Sequence, residues 1–138
     1  ALGSEHTLVV HSEDGLDEIS IAAPTQVAEL RDGSVSSYVI SPEDFSIDRA
    51  SLQGLCVEGA KESAALIRGA FSGADDEPSR KAAAIIALNA GATIYVSGIA
   101  ATLADGVAMA EDLLASGQAG EKLKAFIDIT QMMSGKGE

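Results

Sequence analysis

A chain of 138 residues is long enough for one domain with its own core, and 46% hydrophobic content is too high for a disordered segment. Nine basic against twenty-one acidic residues give a net charge of −12, which disfavours nucleic-acid backbones and anionic membrane surfaces as partners. Aromatics are only 4% and Trp is absent, so the core is expected to be aliphatic and Ala-rich, with closely packed helices.

Taken in order, Thr7-Leu-Val-Val10 is a β-branched apolar run with the composition of a buried strand. It ends in Ser12-Glu-Asp-Gly15, a turn signature. Two adjacent carboxylates follow, Asp17 and Glu18, and then Ile19 to Pro24 reads as a short extended piece. Gln26–Leu30 and Ser34–Ile40 flank Asp32-Gly33, a strong hairpin dipeptide. In the first arm Val27 and Glu29 alternate with Ala28 and Leu30; in the second, Val35 and Val39 alternate with Ser34 and Tyr38. One face of the hairpin is therefore expected to be buried and the other wet. Ser41-Pro-Glu-Asp-Phe45 reads as one short helical turn with Ser41 at its N-cap.

Four helices are expected after that. Val57, Ala60, Ala64, Ile67 and Phe71 fall at spacings of three and four, with Gly73 as the stop. Asp75-Asp-Glu77 ahead of Pro78 reads as a charged helix N-terminus in preference to a second metal site. The run Lys81–Val96 is apolar nearly all round, so it is a buried helix, and Asn89 within it needs a hydrogen-bond partner in a structural role. Thr102 and Asp105 suggest a capping box before the stripe Leu103, Val107, Ala110 and Leu114, with Gly117 as C-cap. A last helix runs from about Glu121, with Leu123, Phe126, Ile127 and Thr130 on one face, and Ser134–Glu138 is expected to fray. The order strand, loop, hairpin, four helices is α+β in isolation; a parallel α/β sheet needs further βα units upstream.

The candidate chemistry is narrow. No Gly-rich phosphate loop and no Ser-His-Asp elbow is visible. His6 and His11 are five apart on one strand and so point to opposite faces, which separates them as ligands. His11, at the strand end near Asp17, reads equally as a substrate contact or as a histidine bonded to a loop carbonyl. Cys56 lacks a neighbouring base and reads as a small buried hydrophobe. As the only cysteine it forms no internal disulfide, which fits a reducing, cytoplasmic compartment. The opening Ala1-Leu2-Gly3-Ser4 carries neither Met nor the basic segment of a signal peptide, as expected of a piece cut from something longer. Asp17 and Glu18 remain as the candidate metal ligands, since Mg²⁺ is commonly held by one or two carboxylates together with waters and substrate phosphates.

Four segments in this order resemble the anthranilate phosphoribosyltransferases. His11-Ser-Glu-Asp-Gly-Leu-Asp-Glu-Ile-Ser20 is similar to that family's HGxDGLDE segment, and Ser41-Pro-Glu-Asp-Phe-Ser-Ile47 to its PEDFG segment. Ala87-Leu-Asn-Ala-Gly-Ala92 is similar to its LNAAA helix, and Gly106–Glu111 with Ser116–Ala119 to its GVxxAxExxxSGxA pattern. The resemblance implies an α/β fold, with residues 1–138 forming the C-terminal part of a nucleoside-phosphorylase-like large catalytic domain. The N-terminal helical domain and the pyrophosphate loop would lie outside them. It implies a parent enzyme of tryptophan biosynthesis that transfers phosphoribosyl from phosphoribosyl pyrophosphate to anthranilate, as a cytoplasmic homodimer. It also implies Mg²⁺ held by Asp17 and Glu18, and no turnover by this piece alone. Ser12 and Ser46 stand where the family usually has Gly. Two other readings stay open at this point: a non-catalytic, nucleic-acid-binding relative of the same fold, and a structural fragment without a ligand.

Overall fold

The structure is a computed structural model describing residues 3–135, so residues 136–138 of the expected frayed end lie outside the described part. Three strands make one antiparallel sheet in the order β1-β2-β3, with β1 at His6–Ser12, β2 at Thr25–Arg31 and β3 at Ser34–Ile40. The hairpin turn is the expected one: Asp32 has φ 51°, Gly33 has φ 74°, and Arg31 lies opposite Ser34. Positive φ at both central positions matches the twist of the flanking strands, which is why Asp-Gly is so legible there. β1 pairs with β2 across the long loop 13–24, His6 opposite Arg31 and Ser12 opposite Thr25.

The register sorts the side chains onto two faces. Leu8, Val10, Val27, Tyr38 and Ile40 face the core, where they meet Ile19, Ile21 and Ile47. The other face carries Val9, Val35 and Val39, which are 65%, 72% and 51% exposed. β1 is therefore not the buried strand its composition suggests. It is half-covered, because the helices lie against only one side of this sheet. Nor is Ile19–Pro24 extended: it bends irregularly while burying Ile19, Ser20 and Ile21.

Four helices follow the single 3₁₀ turn Pro42–Phe45: α1 at Ala60–Phe71, α2 at Glu77–Val96, α3 at Leu103–Ala115 and α4 at Gln118–Met133. α1 starts later than its spacing suggests. Gly59 is the extended N-cap, and Val57 stays outside the helix, exposed. α2 begins as its sequence reads, with Asp76 accepting Ser79 N–H at 2.9 Å and Pro78 in the first turn. α3 keeps one half of the expected capping box: Thr102 Oγ1 accepts Asp105 N–H at 3.1 Å and donates to Asp105 Oδ2 at 2.7 Å. α4 begins at Gln118, directly after Gly117 at φ 78°, so that glycine separates two helices as well as ending one.

α2 is the axis of the molecule. Leu88 on it and Val107 on α3 close the core against the sheet. The two helices touch through glycines: a Cβ on Gly91 would sit 2.5 Å from Val107 Cα, and one on Gly106 would overlap the Gly91 carbonyl. Only a residue without a side chain permits that approach. No helix among the described residues is long and apolar enough to cross a membrane.

Candidate functional site

The acidic loop is pinned at both ends. At its front, Ser12 N–H donates to Leu16 O at 2.9 Å and Gly15 N–H to Ser12 O at 3.0 Å, with Gly15 at φ 93°. Asp14 turns inward: Oδ1 accepts Leu16 N–H at 3.2 Å and Oδ2 accepts the Ser20 hydroxyl at 2.5 Å. Burial pushes the Asp14 carboxyl up, but the hydroxyls of Ser20 and Ser12 and the Leu16 N–H outweigh it, so the group is held below its usual 3.8. At the back, Asn89 of α2 grips the backbone of Ile19 from both sides. Its Oδ1 accepts Ile19 N–H at 3.0 Å, and its Nδ2 donates to Ile19 O and Ile85 O at 2.9 Å each. Thus the half-buried Asn89 has the structural role expected of it, and the role is to fix the loop.

Between these anchors Asp17 and Glu18 stand exposed, and neither enters an ion pair among the described residues. They line one wall of a cleft of about 320 Å³ whose remaining lining is mostly apolar, with Leu52, Leu55, Leu66 and Ile67. Cys56 lines the same cleft and is exposed, not buried, because segment 46–59 forms an irregular skin over the helices. Two unpaired carboxylates on a fixed backbone form a hard, oxygen-only donor set of the kind Mg²⁺ takes. No cluster of three or more His, Cys, Asp or Glu is available among the described residues, so further donors would be waters or ligand oxygens.

His11 is exposed on the outer face, and His6 lies on the inner face with its ring Nε2 2.8 Å from Glu29 Oε1. The two histidines are indeed on opposite sides. His6 belongs to a cluster that sequence reading missed. Tyr95 donates to Glu29 Oε1 at 2.7 Å, Tyr38 donates to Oε2 at 2.8 Å, and Arg31 donates to the Tyr95 hydroxyl at 2.9 Å. The His6 and Tyr95 rings meet edge to face at 4.8 Å. Burial pushes the Glu29 carboxyl up, but hydrogen bonds from Tyr95, Tyr38 and His6 more than compensate and hold it below its usual 4.5. Burial and that carboxylate together raise both tyrosines. The signal was present, since Glu29 shares a face with Val27, but its partner Tyr95 lies 66 residues away.

The fold is thus an α/β unit in which a short sheet holds an acidic loop against a helical layer, an arrangement suited to binding a metal with an anionic ligand. Residues 1–120 match the model of the glycosyl transferase family, a/b domain, and the chain belongs to that family. It is 62% identical over 131 residues to the anthranilate phosphoribosyltransferase of Saccharophagus degradans, covering 95% of this chain and 38% of that protein. Among solved structures it is similar to the Thermus thermophilus anthranilate phosphoribosyltransferase, with TM-score 0.76 and 36% identity over 89% of this chain and 35% of that one. A variant of the Saccharomyces cerevisiae enzyme with Mg bound gives TM-score 0.74 and 26% identity, again over 89% of this chain and 35% of the other. The chain therefore spans little more than a third of the length of the relatives it matches.

Proposed function

We propose that this chain is the metal-holding part of an anthranilate phosphoribosyltransferase, its C-terminal catalytic portion, from a cytoplasmic homodimeric enzyme. The carrying observation is the pair Asp17 and Glu18, exposed and outside any ion pair among the described residues, on a loop whose neighbours on both sides are hydrogen-bonded in place. In this reading the parent enzyme transfers phosphoribosyl from phosphoribosyl pyrophosphate to the amine of anthranilate and releases pyrophosphate. The two carboxylates hold Mg²⁺. When bound, Mg²⁺ supplies the positive charge that offsets the departing pyrophosphate. A chain at −12 lacks that charge of its own.

The residues of this chain have holding and positioning roles. Asp14 and Asn89 keep the loop from collapsing when the two like-charged side chains are brought together. Asp17 and Glu18, on the exposed crest, would hold the metal. The chain offers no loop to grip ribose phosphate, so by itself it is expected to show no transferase turnover. The test uses a chimera in which this chain replaces the matching stretch of the Saccharophagus degradans enzyme. Pyrophosphate release should be restored, and Asp17→Ala should lower it by about two orders of magnitude with partial recovery at high Mg²⁺. Full activity of the Asp17→Ala, Glu18→Ala double variant would refute the assignment.

A further inference from the structure

We propose that the groove between α1 and α4 binds a small, soluble phosphomonoester with an aromatic body. The groove holds about 360 Å³, within the range of small-ligand pockets, and its lining includes Arg68, Phe71, Ser72, Leu123, Lys124 and Ile127. Its two cations stand apart from most others in the chain. Among the described residues, Arg31, Arg49, Arg80 and Lys81 form ion pairs with Asp32, Glu43, Asp75 and Glu77 in turn. Lys61, Arg68, Lys122 and Lys124 form none among those residues, and all of them stand on α1 or α4. Acids outnumber bases by twenty-one to nine in this chain, yet no acid lines the groove. Two like charges brought to one groove by separate helices repel each other and together attract an anion.

The chemistry of the anion follows from the groups that line the groove. Two cations match the charge of a phosphomonoester, about −1.5 to −2 at pH 7, better than that of a single carboxylate. A guanidinium such as that of Arg68 binds two phosphate oxygens side by side, and the Lys124 ammonium adds a point charge. The Ser72 hydroxyl donates to Gly69 O at 3.1 Å and is free to rotate toward a stronger acceptor. The remaining lining sets the body of the ligand. Phe71, Leu123 and Ile127 offer apolar contact, and the Phe71 ring suits an aromatic partner. Inorganic phosphate alone would leave that surface wet. The two helices meet at one end of the groove, where a Cβ on Gly120 would lie 3.7 Å from Phe71 O, in ordinary contact. The groove shares no lining residue with the cleft beside Asp17 and Glu18, so this ligand is separate from anything held there.

Titration of the isotope-labelled chain with naphthyl phosphate, in low-salt buffer without Mg²⁺, tests this through the amide chemical shifts. Saturable shifts are expected at Ser72, Gly120, Leu123 and Lys124, with a dissociation constant of about 1 mM or below. Arg68→Gln and Lys124→Gln should each weaken binding by about three- to tenfold, and the double variant by about thirtyfold. Both side chains are exposed, so circular dichroism should be unchanged in all three variants. Inorganic phosphate and naphthol, each carrying one part of the ligand, should bind at least about tenfold more weakly than the ester. Asp17→Ala should bind the ester as the natural chain does, so failure of the metal assignment leaves this result unaffected. Shifts that stay absent up to about 20 mM ester, or that centre on residues 13–19, would overturn the proposal. Undiminished binding by the double variant would overturn it as well, as would inorganic phosphate or naphthol binding as tightly as the ester.

Discussion

Ser46 is a serine in a conformation that suits glycine. Its backbone lies at φ 60° and ψ 23°, directly after the turn Pro42–Phe45. A left-handed residue with a Cβ costs roughly 1–2 kcal/mol, and glycine gives back part of the gain through its freer unfolded chain. Ser46→Gly should therefore stabilise the protein by about 0.5–1 kcal/mol, measured as a shift in urea midpoint at constant slope. An unchanged or lower midpoint would mean that the Ser46 side chain contributes something the geometry does not reveal. The buried carboxylate Glu29 argues in the opposite direction. Glu29→Ala leaves the Tyr38 and Tyr95 hydroxyls without their acceptor in a buried setting, and about 3 kcal/mol of stability should be lost. Its pH dependence has a definite sign. The folded carboxyl titrates below its usual 4.5, so its ionised form stabilises the protein at and above that value, and the stabilisation fades as pH falls through the folded value. The groups facing it are His6, Tyr38 and Tyr95, with Arg31 behind Tyr95. The stability gap between the natural chain and Glu29→Gln should accordingly be constant near neutrality and close below pH 4.5. A gap that persists to pH 2 would mean that shape, not charge, holds the cluster.

At the scale of elements, the acidic loop and α2 act as one unit through Asn89. Asn89→Ala strips partners from Ile19 N–H and Ile19 O, whose residue is buried. About 2–3 kcal/mol should be lost. The loss should be accompanied by faster amide exchange across residues 13–18, with α3 unaffected; equal loosening of α3 would make Asn89 a general core residue instead of a loop clamp. Elements of this kind divide into those a sequence reveals and those it hides. The Asp32-Gly33 turn, the Asp76 cap and the apolar stripe of α3 depend on neighbours a few residues away, so their spacing shows them. Asn89 was legible as a buried amide in need of partners, but Ile19 as that partner was not, because they meet 70 residues apart. Cys56 and Val9 were misjudged for a related reason. Apolar composition tells which residues prefer burial, whereas burial itself depends on whether another layer arrives to cover them, and here none does.

Uncovered surface dominates the behaviour of the whole molecule. Val9, Val35 and Val39 stand exposed on the same outer face of the sheet, and Phe126, Ile129, Met132 and Met133 crowd the exposed side of α4, which buries no residue. A small protein with two such faces is inclined to associate. What opposes it at neutral pH is a net charge of −12, a long-range repulsion that both salt and protonation weaken. Lowering the pH toward the isoelectric point near 4.4 removes that repulsion, and going below it protonates carboxylates that hold the fold, Glu29 among them. Both effects favour association. Sedimentation velocity should therefore find mainly the 14.0 kDa monomer in dilute neutral buffer without added salt, and larger species as the pH approaches 4.5 or as salt is raised. Replacing Val35 and Val39 by Lys should suppress the larger species formed in high salt without altering the monomer's circular dichroism, since both side chains point away from the core. If those species persist unchanged in the double variant, the sheet face is not where the copies meet, and the exposed side of α4 becomes the surface to substitute next.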